Sequence, residues 1–197
     1  GGLTLMRGEI GPMPAPVGIS TGELAALFGG GALAALIGAI DDLFNLRARW
    51  QLLGQLALAA VAVLLGVGVK FVSNPFGPGL ISFGIPFAIA FTIIWIVGML
   101  NSINFIDGLD GLSTGIALIA AVTLGILSLT IQVNQPYVAV LCLVLAGALL
   151  GFLRFNFQPA SIFQGTAGVM FVGYTLAVLA ILGSTKVVVA VLVLGVP

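Results

Sequence analysis

Residues 111–153 read GLSTGIALIAAVTLGILSLTIQVNQPYVAVLCLVLAGALLGFL, with no Asp, Glu, Lys, Arg or His among them. A helix crosses the hydrocarbon core of a bilayer with about 20 apolar residues. This stretch is too long for one crossing and too apolar for a water-soluble exterior. Its natural break is Thr130-Ile131-Gln132-Val133-Asn134-Gln135-Pro136, ending in a proline that a helix interior tolerates poorly. The apolar runs show no alternation of the kind a barrel strand requires. Only helices and closed barrels satisfy their backbone in lipid, so the stretch reads as two membrane helices.

The rest of the chain follows the same rule. Apolar residues make up 60% of the sequence and charged residues 6%, against about 25% charged in a soluble domain. Spans are expected near 24–40, 52–69, 83–100, 112–131, 137–152, 169–183 and 187–197. The fold class is therefore all-α, a polytopic transmembrane helix bundle of about seven spans forming a single membrane domain over 1–197. Residues 7–22, with Pro12, Pro14 and Pro16, read as an interfacial lead-in. No signal peptide is expected, since Gly1 stands where a Met would and no basic segment follows. Both ends read as cut, so the chain is expected to be a fragment of a longer protein. The formal net charge of zero gives no electrostatic basis for nucleic-acid binding. Without His there is no imidazole base or ligand, and the lone Cys142 excludes a disulfide framework.

Successive loops of such a bundle alternate sides. The first, third and fifth loops, 41–51, 101–111 and 153–168, hold Asp41, Asp42, Arg47, Arg49, Asn101, Asn104, Asp107, Asp110, Arg154 and Asn156. The even loops hold little beyond Lys70, Asn74, Asn134 and Lys186. All four aspartates of the chain are thus expected on one face, which its arginines mark as cytoplasmic. Asn101, Asn104, Asp107 and Asp110 recur every third residue and would form one polar stripe on a helix. Carboxylates that converge repel one another unless a cation is present. Mg²⁺ is the expected cation, because it binds through one or two carboxylates and shares substrate phosphates. Acids on a transport path lie nearer the bilayer midplane, which ranks an ion carrier below phosphoryl chemistry here.

At these residues the chain resembles a known family. Residues 41–46, DDLFNL, followed by Leu52-Leu53-Gly54-Gln55, are similar to the first signature of the polyprenyl-phosphate sugar-1-phosphate transferases. Residues 101–112, NSINFIDGLDGL, resemble the second signature, and residues 155–163, FNFQPASIF, with Gly165 and Gly168, resemble the third. The resemblance implies transfer of sugar-1-phosphate from a UDP-sugar to a polyprenyl phosphate at the cytoplasmic face of the inner (plasma) membrane. Members have around ten helices, so this chain would be the middle seven. The resemblance further implies catalytic roles for Asp41, Asp42, Asp107 and Asp110. Substrate would be held by Asn101, Asn104, Arg49, Arg154 and Asn156. Metal would sit on Asp107, Asp110 and the position of Thr166, with Mg²⁺ as cofactor and Mn²⁺ as its substitute. Membrane lipid surrounds the bundle, and a homodimer or a membrane complex is the expected association.

Three positions depart from that pattern. Thr166 stands where the family's third signature carries an Asp, and Gln51 and Ser161 stand where basic residues are usual. A neutral hydroxyl is a weaker Mg²⁺ ligand than a carboxylate, and losing one such electrostatic contact costs about 10²–10³ in rate. The alternative expectation is therefore a catalytically silent member acting as a structural membrane subunit. Arg47, Arg49 and Arg154 suit either a phosphate grip or helix anchoring at headgroups.

Overall fold

The computed structural model describes residues 18–69, 71–73, 80–82, 84–130 and 133–183. Among them are six helices: α1 (Thr21–Phe44), α2 (Ala48–Leu64), α3 (Ile85–Ile106), α4 (Leu112–Ser128), α5 (Pro136–Asn156) and α6 (Gly165–Leu182). Between α2 and α3, strands β1 (Phe71–Ser73) and β2 (Leu80–Ser82) pair as an antiparallel ribbon with Val72 opposite Ile81. The helical membrane fold is as expected. The ribbon was not foreseen, and the seventh span at 187–197 lies outside the described residues, as do Lys70, Asn74 and Lys186.

Four helices, α1, α3, α5 and α6, are long and apolar enough to cross a membrane, and α2 and α4 are shorter apolar helices. Their outer faces carry large exposed apolar side chains such as Phe28, Leu36, Ile94, Ile119, Val144 and Leu150. Contiguous apolar surface of this extent needs lipid rather than water.

The element ends have local causes. At the start of α1, Ser20 Oγ accepts from the Glu23 amide at 3.2 Å while Glu23 Oε2 accepts from the Ser20 amide at 2.8 Å. This reciprocal cap satisfies two of the amides a helix start leaves open. The expected span 52–69 stops at Leu64, because Gly66 turns the chain at φ +99°. Val69 then donates its amide to Thr92 Oγ1 of α3 at 3.0 Å.

Helix α6 sits at the centre, packed against α1, α3, α4 and α5. Its facing partner α1 presents Ala26, Gly30, Ala34 and Gly38, all buried and four residues apart. Small residues at this spacing let two membrane helices approach closely. Tyr174 of α6 fits over Gly30 and donates its hydroxyl to the Ala26 carbonyl at 2.8 Å. Trp95 of α3 donates to the Ala177 carbonyl at 3.2 Å, so it is a packing aromatic between α3 and α6.

Candidate functional site

Loops 45–47, 107–111 and 157–164 share one end of the bundle, as the alternation of spans predicts. The corner between α1 and α2 is built on Asp41, which is buried. Its Oδ1 accepts from the Leu46 amide at 2.9 Å and its Oδ2 from Gln51 Nε2 at 2.7 Å, while Asn45 turns the chain at φ +49°. Asp42, one residue on, reaches across to α6. Its Oδ1 accepts from the Thr166 amide at 2.9 Å and its Oδ2 from the Ala167 amide at 3.0 Å, and the Thr166 hydroxyl also bonds it. Gln164, the residue flanking α6, provides no side-chain cap. The first-turn amides of α6 are therefore capped from α1. Gly165 holds φ +63°, and a Cβ there would stand 3.0 Å from Asp42 Oδ2. Replacing Asp42 with Ala should lower the melting temperature of the purified protein, by the equivalent of about 1 kcal/mol for a lost exposed cap. An unchanged melting curve would show that the cap contributes nothing.

The second signature does not stay helical to its end. Helix α3 stops at Ile106, Asp107 occupies its C-cap, and Asp110 lies in the turn that Gly111 closes at φ +74°. Only Asn101 and Asn104 of the expected stripe are on the helix. The glycines free the backbone to turn, so both acids leave the helix axis. The Asp107 carboxyl is held above its ordinary range by burial, which outweighs the hydrogen bond donated by Ser113. Asp110 Oδ2 accepts from the Ala160 amide at 3.0 Å, linking the third loop to the fifth.

Beneath the two acids lies a polar cluster that reading the sequence missed. Gln164 Oε1 stands 3.0 Å from Ser113 Oγ and 3.1 Å from Thr114 Oγ1. Thr114 Oγ1 also lies 2.8 Å from Asn156 Oδ1, and Asn156 Nδ2 donates to the Ile162 carbonyl at 3.0 Å. Asn156 was already a candidate in the third signature; the signal for its partners was the pair of hydroxyls directly after the second signature, and hydroxyls are too cheap inside a helix to stand out. Asn101 also faces inward, donating to Gln55 Oε1 at 2.7 Å and to the Val97 carbonyl at 2.8 Å.

The remaining expected residues sit at the rim. Asn104 and Arg154 are exposed, and Arg49 is exposed with its guanidinium 5.7 Å from the Trp50 ring. Residues 108–112, with Phe157 and Gln158, line an open cavity of about 650 Å³. Asp42, Asp107 and Asp110 each receive hydrogen bonds from neutral donors. Among the described residues no three Asp, Glu, His or Cys side chains are grouped to hold a metal ion. Asp107 and Asp110 each keep open lone pairs. That suits a cation held by one or two carboxylates and completed by substrate phosphates, not a closed protein cage.

The sequence profile of glycosyl transferase family 4 matches residues 24–184. The chain belongs to that family. Within glycosyl transferase family 4 it is similar to a probable undecaprenyl-phosphate N-acetylglucosaminyl 1-phosphate transferase of Bacillus subtilis, 34% identical over 100% of this chain and 56% of that protein. It is similar to a decaprenyl-phosphate N-acetylglucosaminephosphotransferase of Mycolicibacterium smegmatis, 39% identical over 80% of this chain and 40% of that one. A phospho-N-acetylmuramoyl-pentapeptide-transferase of Staphylococcus haemolyticus is 35% identical over 75% of this chain and 49% of its own length. The chain spans about half the length of the curated relatives it matches.

Proposed function

We propose that the protein containing this chain transfers sugar-1-phosphate from a UDP-sugar to a polyprenyl phosphate, giving a lipid diphospho-sugar and UMP. The observation that carries this reading is the convergence of three loops at one end of the bundle. Asp42 meets Thr166 and Ala167 there, and Asp110 meets Ala160. The reaction named for the relatives supports the chemistry. The site would face the cytoplasm of the inner membrane, a reading supported by Arg47, Arg49 and Arg154 at the same end.

Mg²⁺, when bound, would neutralise phosphate charge and polarise the transferring phosphoryl group. Asp107 and Asp110 are the residues that would hold it, and the neighbouring cavity would admit the nucleotide diphosphate. Asn104, Arg49 and Arg154, exposed at the rim, would grip phosphate or sugar hydroxyls. Asn101 and Asn156 would act from within, holding the backbone that shapes the site. Asp41 and Asp42 would place the lipid phosphate or assist its deprotonation, at a corner that their own hydrogen bonds already fix.

A second reading, a catalytically silent member, is favoured by one observation. Thr166 commits its amide and hydroxyl to Asp42, where the family pattern has a carboxylate. A radiolabel transfer assay on the full-length protein containing this chain, in membranes with UDP-sugar, polyprenyl phosphate and Mg²⁺, separates the two. Product above background is expected, and none would reject the transferase reading. Thr166→Asp places a second carboxylate beside Asp42, where like charges repel unless a cation bridges them. The variant should raise the rate and steepen its Mg²⁺ dependence. An unchanged rate would clear Thr166 as the limiting position.

A further inference from the structure

The polar cluster under the acids has a role of its own. We propose that Ser113 is a positioning residue: its hydroxyl fixes the Asp107 carboxylate, and Gln164 ties that hydroxyl to the start of α6. The inference rests on the reading in which Asp107 serves cation and nucleotide.

Asp107 follows the last turn of α3 and precedes Gly108 and Gly111, so its own backbone does little to hold it. Ser113 can hold it, because it is 1% exposed in the first turn of α4 and its hydroxyl donates to Asp107 Oδ1. A hydroxyl has one proton. Ser113 faces two acceptors, Asp107 and Gln164, and Thr114 faces Asn156 and Gln164. The charged acceptor takes the Ser113 proton. Exchanging the oxygen and nitrogen of the Gln164 amide, which share a shape, then satisfies the contacts to both hydroxyls. Gln164 directly precedes Gly165, the glycine that stands against Asp42. One partly buried chain of hydrogen bonds therefore runs from Asp107 through Ser113 to the residue beside the Asp42 cap. Partners that orient a metal-binding carboxylate in this way commonly matter 10–100-fold in affinity or rate.

The test is Mn²⁺ binding to the purified full chain with UDP present, read from the free-ion electron paramagnetic resonance signal. Ser113→Ala should weaken Mn²⁺ binding by about 10-fold or more, with helix content unchanged by circular dichroism. Ser113→Thr, which keeps the hydroxyl, should restore most of it. Wild-type affinity in Ser113→Ala overturns the positioning role. The transfer assay keeps the two claims apart. A wild type that transfers sugar phosphate while Ser113→Ala retains Mn²⁺ affinity removes only the role of Ser113. A wild type silent in transfer whose Mn²⁺ affinity falls in Ser113→Ala removes only the proposed reaction.

Discussion

Alanine at position 38 will push α1 away from α6 and disable the site above it. A Cβ on Gly38 would lie 2.5 Å from the Thr166 carbonyl oxygen and from Ala167 Cα, and 2.7 Å from the Ala167 nitrogen. All three are backbone atoms, so no side chain can swing aside. The helices must separate, and the amides of Thr166 and Ala167 then move off Asp42. Overpacking of this kind costs about 1–3 kcal/mol, and valine at the same position should cost more. The control is Gly29→Ala, since nothing lies within 4 Å of a Cβ there. The thermal melting of both variants in detergent decides the matter. Gly38→Ala should melt well below Gly29→Ala and show little transfer activity. Equal melting temperatures would mean that the close approach of α1 and α6 is dispensable.

Asp107→Asn should reduce transfer by about 10²–10³ without weakening the fold. The sign follows from burial, which raises the Asp107 carboxyl above its ordinary value. A carboxyl raised in the folded state favours folding while protonated, and that advantage is lost as pH rises through the folded-state value. At neutral pH the charged form is therefore a cost to the metal-free chain, and a neutral amide of the same shape relieves it. Asparagine can still accept from Ser113. The expected pattern is an unchanged or higher melting temperature near pH 7 together with a large loss of rate. Asp110→Asn should lose rate similarly, because Asp110 is exposed beside the cavity and its main-chain partner at Ala160 needs only an acceptor. Full activity in Asp107→Asn would remove Asp107 from the chemistry.

The membrane class, the helical fold and the gathering of the acids at one end were legible in the chain itself. Hydrocarbon admits few charges, so the uncharged stretch 111–153 and the strict alternation of spans placed Asp41, Asp42, Asp107 and Asp110 at one end without any coordinates. The three signatures were readable through their resemblance to a known family. What each acid touches was decided only by the tertiary structure. Asp41 and Asp42 are adjacent in sequence, yet one pins the α1–α2 corner and the other caps α6, a helix more than a hundred residues away. The end of α3 at Ile106 and the burial of Ser113, Thr114 and Asn156 were equally hidden. Periodicity reports which face of a helix is apolar. It does not report which other helix meets that face, and in lipid the meeting depends on small-residue contacts such as Gly38 on Ala167, set by shape and not by hydropathy.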